Sequence, residues 1–389
     1  MAHDQQTPRL FFIDNLRIAL IVLVVAHHAG QAYGPVSWWY FENPDRASIL
    51  GAFFTVNRSF FMSLFFMISG YFLPMSYDRK GAGDFLQDRL RRFGYPLLVF
   101  FFAVIPIMMY IYYLNFRNYG PLSFFAYYSQ VYFGAGSRPS DWTGPSWPDM
   151  TLEHLWFIEH LLIFALCYAL WRLIRPSRTR TDRNGERPPR YLEIFAFTLV
   201  LAAVTFVVRL WYPIGNWVAF LGFIQVAFAD VPRDLGFFII GVIAYRRNWF
   251  LNMPKKTGRV WLLLGLAAAA WCYGLNLTGH TYFSAGGLNV QSVLYDLWEA
   301  LLCTGLCIGL PVLFREKLNS QGALAKNLVA GTYAVYLFHV PVVVSLQYAI
   351  RHAGIAAIAK FAIVTISAIP LTYLFCSYIR RFPLVRRII

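Results

Sequence analysis

Ten runs of mostly apolar residues, each about 20 long, govern what this 389-residue chain can become. They fall at approximately 15–34, 50–74, 94–114, 154–174, 191–211, 232–246, 259–276, 292–314, 328–349 and 356–379. About 20 apolar residues in helical conformation span the roughly 30 Å hydrocarbon core of a bilayer. In that medium each backbone polar group must find its partner within the chain, which helices achieve segment by segment. The expectation is an all-α polytopic membrane protein, 1–389 forming a single integral-membrane domain. The sixth run is the shortest. The stretch before it, 214–229, is apolar but broken by Pro, Gly and Asn, and an eleventh crossing there would reverse the side of every later loop.

The position of the charges decides between ten and eleven. The net charge is +15, with 34 Lys and Arg against 19 Asp and Glu. With ten spans and both termini in the cytoplasm, the basic residues gather on the inner side. There lie Arg79, Lys80, Arg89, Arg91 and Arg92, seven arginines from Arg172 to Arg190, and the clusters around 246–259, 315–326 and 380–387. The outer side is left with Arg46, Arg117, Arg138, Arg233 and Arg351. This is the positive-inside distribution of a plasma (inner) membrane protein, and it accounts for the basicity without nucleic acid. The first run carries ionisable residues and no small-residue cleavage site, so it is expected to stay as a helix. The five cysteines lie within apolar runs, without metal-ligand spacing, and read as packing residues. The inner loop 175–190 is polar and Pro-rich. The outer connection 115–153 is rich in Tyr and Trp, suited to the membrane interface or to stacking on sugar rings.

Ionisable residues inside the runs point to the chemistry, because they cost several kcal/mol unless they face protein or a water-filled cavity. Arg17 and His28 are eleven residues apart in the first run. On a helix this puts them within about 20° of one face and about 16 Å apart along the axis. Further polar groups follow: Asn57 and Arg58, then Glu153, His154, Glu159 and His160, then Asp296 and Glu299, then His339. A carboxylate is the usual partner that fixes an imidazole's tautomer and raises its basicity. Glu153, Glu159, Asp296 and Glu299 are all candidates for that role toward His28. There is no GxSxG elbow, HExxH zinc site or Walker A loop.

Four segments in order, FFIDNLR at 11–17, SLFFMISGYF at 63–72, HLWF at 154–157 and GTYAVYLFHVP at 331–341, resemble the integral-membrane acyltransferases of family 3, particularly the glucan biosynthesis protein C-like branch. The resemblance covers nearly the whole chain. It implies transfer of an acyl group, acetyl or succinyl, from cytoplasmic acyl-CoA to a hydroxyl of an extracytoplasmic glycan, with acyl-CoA as donor substrate and no metal. It further implies that His28 is the catalytic histidine, that Arg17 handles the donor, and that His339, in the last motif, lines the donor site. One departure is Ser63, where many relatives of the family carry Asp two residues before the paired Phe. Glu153 or Glu159 is expected to serve in its place as a catalytic carboxylate. A multi-pass transporter or flippase for a polar or lipid-linked substrate is the alternative that composition and span count leave open.

Overall fold

A computed structural model describes residues 9–36, 38–144, 146–175, 187–278 and 283–388. The chain runs through helices α1 (Phe11–Gln31), α2 (Ile49–Arg58), α3 (Phe61–Arg89), α4 (Tyr95–Val99), α5 (Ile105–Phe116), α6 (Phe124–Tyr127) and α7 (Trp156–Ile174). It continues through α8 (Tyr191–Arg209), α9 (Val231–Arg246), α10 (Trp249–Asn252), α11 (Lys255–Thr278), α12 (Val290–Lys317), α13 (Ala323–Ala349), α14 (Ala357–Ile379) and α15 (Pro383–Arg386). It is an all-α polytopic membrane protein.

Among the described residues, eight helical segments are long and apolar enough to cross a membrane. One of them, Ile49–Phe116, has 68 residues and would be about 100 Å long if straight, too long for a single crossing. It breaks at Gly81, whose φ of 75° and ψ of 170° are non-helical. The left-handed φ there suits a residue without Cβ. Divided at that glycine, and with the 16-residue α9 counted alongside, the described residues supply ten helical segments at the positions of the ten apolar runs. The stretch 214–229 does not cross: it holds a short antiparallel hairpin, β1 (Val218–Phe220) paired with β2 (Ile224–Val226).

Helix α9 buries Arg233, Asp234, Phe237, Phe238 and Gly241 and turns Leu235 and Ile239 outward. It lies against α3, and glycines on both sides permit the approach. A Cβ on Gly241 would sit 2.1 Å from the Met67 carbonyl oxygen, and one on Gly70 would sit 2.3 Å from that of Phe238. Small residues at such crossings let backbones meet where no hydrophobic drive separates protein from lipid. Helices α12 and α13 are the most enclosed, whereas α8, α11 and α14 turn apolar side chains such as Leu192, Leu263 and Ile366 outward. Cys303 and Cys307 are thiols one turn apart in α12, Sγ to Sγ 3.8 Å.

Helix α1 packs on α12, α13 and α14. Asn15 near its start donates to the carbonyls of Leu318 and Ser320 between α12 and α13, which ties the first helix to the basic face of the bundle. By the positive-inside rule that face is cytoplasmic. Residues 176–186 of the basic inner loop lie outside the described residues.

Candidate functional site

Two cavities open from opposite ends of the bundle. The one at the basic face has a volume of about 900 Å³ and is lined by Arg9, Arg17, Arg89 and Arg92, with Asp14 the sole carboxylate among its lining residues. Arg9 pairs with Asp14 at 2.7 Å. Arg17 stands 3.8 Å from the same carboxylate, and Arg92 lies over the Tyr333 ring. The cavity therefore carries excess positive charge. The second cavity, about 270 Å³, is lined by His27, His28, Arg58, His154, Trp156, His160, Trp217, Asp230, Arg233 and Asp234. It contains two arginines and two aspartates, so its fixed charges balance.

The cavities share one wall, at Tyr336. Adjacent turns of the same helices face one and then the other, Ile21 and Val24 of α1 and Phe65 and Phe61 of α3, and the consecutive Phe157 and Trp156 of α7 divide between them. The Tyr336 hydroxyl donates to the His154 carbonyl, which holds the ring in this partition. Arg17 borders the cytoplasmic cavity and His28 the outer one.

The protons on His28 follow from its neighbours. His339 Nδ1 lies 2.7 Å from the Tyr336 carbonyl and 3.2 Å from that of Val335. Both oxygens can only accept, so Nδ1 carries a proton. The side chain is fully buried and touches no carboxylate, so it holds that one ring proton. Its Nε2, 3.0 Å from His28 Nδ1, is then an acceptor. His28 Nδ1 thus faces two acceptors, this nitrogen and the Val24 carbonyl at 3.0 Å, and must donate. The lone pair of neutral His28 is left on Nε2, which has no hydrogen-bond partner among the described residues. Trp39 stacks on the His28 ring at 5.5 Å between centroids and 28° between planes. Its indole N–H is fixed by Gln347.

This arrangement corrects the expected carboxylate partner. Neither Glu153 nor Glu159 is hydrogen-bonded to His28. Glu153 sits at the turn into α7, with φ 44° and its amide donating to Thr151. Glu159 is buried, and its Oε2 has no partner among the described residues. His339 lines neither cavity and contacts His28 itself, so the structure does not bring it to the donor side. The spacing of the last motif marked His339 but gave no sign of a contact spanning 311 residues of chain.

A buried charge network backs the outer cavity. Arg209, at the end of α8, donates to Asp296 at 2.5 Å and Glu299 at 2.7 Å. Arg233, in the first turn of α9, reaches Glu299 at 2.6 Å and the Ser63 hydroxyl at 3.0 Å. Ser63 in turn donates to Asp234 Oδ1 at 2.6 Å. The carboxylate beside position 63 thus comes from α9. Asp296 and Glu299, one turn apart in sequence, serve Arg209 rather than His28. Arg233 is 2% exposed, so it is not the outer-loop charge expected from sequence. The signal was available in its position, one residue after the helix-starting Pro232, which places it inside α9.

In the outer connection the polar and aromatic side chains are largely engaged with one another. Arg117 and Asp149 form a buried pair at 3.0 Å, with Tyr127 donating to the same carboxylate at 2.8 Å. Trp142 is occupied by Arg117, 4.1 Å from its ring centroid. Burial raises the Asp149 carboxyl to about 6, against the pull of Arg117. These aromatic residues brace one another, and the indoles that line the cavity are Trp156 and Trp217.

A helical bundle long and apolar enough to cross a bilayer holds a cationic chamber on one side and a histidine-lined chamber on the other. The chain belongs to the acyltransferase domain family, whose family model matches residues 10–377. It is similar to the glucans biosynthesis protein C of Escherichia coli O139:H28 (strain E24377A / ETEC), 23% identical over 361 residues that cover 86% of this chain and 82% of that protein. The protein of the same name from Escherichia coli (strain K12) is 23% identical over 356 residues, with the same two coverages. The protein is a multi-pass membrane acyltransferase.

Proposed function

We propose that the enzyme is an O-acyltransferase of the plasma (inner) membrane that moves an acetyl or succinyl group from cytoplasmic acyl-CoA to a hydroxyl of an extracytoplasmic glycan. The observation that carries this reading is the meeting of two cavities of different charge at Tyr336, with His28 lining the outer one. The relatives named for glucan biosynthesis support a glucan as acceptor.

The donor is a polyanion on a long flexible arm, and it is the chemistry of the inner chamber that suits it. Guanidinium groups pair with phosphate oxygens through several fixed N–H donors, and Arg17, Arg89 and Arg92 supply them with little competing carboxylate. About 16 Å along α1 separates Arg17 from His28, a distance that a pantetheine arm covers. The acyl thioester then arrives at the Tyr336 partition. His28 Nε2 removes the proton from the acceptor hydroxyl as its oxygen attacks the thioester carbonyl. The tetrahedral intermediate collapses with cleavage of the C–S bond, and the departing thiolate takes the proton back from His28 Nε2. The products are the glycan ester and free CoA thiol, and the imidazole is returned to its starting form.

Purified protein supplied with labelled acetyl-CoA or succinyl-CoA and a gluco-oligosaccharide tests the reading. It predicts label in the saccharide and release of CoA thiol. The paired substitution Arg17→Gln with Arg92→Gln is expected to raise the KM for the donor about tenfold or more, each lost charge-assisted contact being worth about 1.5–3 kcal/mol, with a smaller change in kcat. An unaltered donor KM would remove these arginines from the donor site.

A further inference from the structure

The outer cavity carries a second constellation that the transfer step does not use. Arg58 grips Asp230 through Nη2, at 3.2 Å from Oδ1 and 2.9 Å from Oδ2, and through Nε at 3.3 Å from Oδ2. Asp230 Oδ1 is also approached by Arg209 at 3.4 Å and Arg233 at 3.3 Å. That oxygen is filled, so the remaining Arg58 nitrogen, Nη1, cannot turn to it. Oδ2 receives two Arg58 nitrogens, Nε and Nη2, so the lone pairs of the carboxylate are taken. The pair therefore offers the cavity a fixed N–H donor, Arg58 Nη1, which has no hydrogen-bond partner among the described residues. Arg209 and Arg233 hold the carboxylate from behind, so the geometry exists before any ligand binds.

Across the same cavity stands Trp217, from the connection between α8 and α9, 45% exposed. Its ring is 6.0 Å from that of Trp156, at 70°. Trp156 is braced by Phe66, Phe157 and His160, and the half-exposed Trp217 adds an apolar surface that suits the C–H face of a ring carrying hydroxyls at its edge. Aromatic walls with a few convergent polar groups are the usual composition of a small-molecule site. The balance of arginines and aspartates lining this cavity argues against an anionic ligand, in contrast to the arginine-rich inner chamber.

We infer that Arg58, Asp230 and Trp217 form the acceptor subsite, which takes one neutral sugar residue with a ring hydroxyl accepting from Arg58, itself held in place by Asp230, and with its apolar face on Trp217. The inference rests on the transfer reading above and adds the acceptor's class and the residues that select it. At about 270 Å³ the chamber falls just below the roughly 300–1,000 Å³ of drug-sized pockets, so it admits a single residue and leaves the rest of the glycan outside.

The test uses the full-length enzyme in detergent, with acetyl-CoA as donor and either a neutral gluco-oligosaccharide or its uronic-acid counterpart as acceptor. Trp217→Ala is expected to raise the KM for the neutral saccharide about tenfold while the KM for acetyl-CoA stays within twofold, and Trp217→Phe to fall between it and the native enzyme. Asp230→Asn is expected to act in the same direction. The outward-facing Trp211→Ala, at a residue 68% exposed that does not line the cavity, serves as the control and is expected to leave both constants in place. Equal rises in both KM values, no change in either, or a preference of the native enzyme for the uronic-acid saccharide would overturn the subsite. If the native enzyme shows no turnover of either acyl-CoA, the transfer reading fails separately. Quenching of tryptophan fluorescence by the neutral saccharide, present in the native protein and lost in Trp217→Ala, then decides the subsite alone, and equal quenching in both refutes it.

Discussion

Replacement of His28 by alanine is expected to lower kcat for acyl transfer by about 10³-fold, within the roughly 10²–10⁴ that a positioned general base contributes, while the protein still purifies as a folded helical monomer or oligomer with native elution. The proposed base is His28 Nε2, a ring nitrogen whose lone pair is directed by its surroundings and which has no hydrogen-bond partner among the described residues. Val24 and His339 hold the proton on Nδ1, and the opposite nitrogen borders the outer cavity. His28→Gln retains much of the volume and can hydrogen bond, but it cannot accept a proton near neutral pH, so it is expected to be as inactive as alanine. Steady-state rates with labelled acetyl-CoA, normalised to the amount of folded protein, make the comparison. If either variant retained a tenth of native kcat, His28 would not be the base.

His339→Ala is expected to cost about 10² in kcat with little change in either KM. In a serine-protease triad, loss of the tautomer-fixing partner costs roughly 10⁴. The effect is smaller here because the Val24 carbonyl still accepts from His28 Nδ1 at 3.0 Å. His339→Gln is expected to restore about a tenfold part of the loss, since an amide oxygen in that place can accept the same proton. The split between kcat and KM, together with rescue by glutamine, separates positioning from packing: a cavity left by alanine would reduce the folded fraction, and glutamine would not restore turnover per folded molecule. Equal activity of the alanine and glutamine variants would argue against the tautomer role.

The pattern of apolar runs revealed the bundle because each transmembrane helix satisfies its own backbone, so local composition suffices to find it. Even the shortest run proved to be a helix, α9, whose small residues made close packing on α3 possible. The eleven-residue interval of Arg17 and His28 was equally readable, since it depends only on helical periodicity. Contacts between distant helices were hidden. Carboxylates were the reasonable partners to name for His28 on chemical grounds, yet Asp296 and Glu299 were already committed to Arg209 and Arg233. Those two arginines are the ends of α8 and the start of α9, and as charges near span boundaries they resembled interfacial residues. Burial of this network shows in three dimensions that the polar side of the bundle faces inward around the outer cavity. Trp39 and Trp217, which reach His28 and its cavity from connecting segments, carried no periodic signal at all.

The charge contrast between the two chambers links these observations to direction of transfer. On the proposed reading, the arginine-rich inner chamber draws a polyphosphorylated donor from the cytoplasm, and the charge-balanced outer chamber accepts a neutral hydroxyl compound. Neither substrate then has to cross the bilayer, because in this proposal the acyl group alone passes the Tyr336 partition. Sealed inverted membrane vesicles test this most directly, with labelled acetyl-CoA added to the outside, which is the cytoplasmic face, and a gluco-oligosaccharide trapped in the lumen. The account predicts label on the lumenal saccharide, dependent on His28. Label that formed only when saccharide was supplied on the same side as the donor would contradict it.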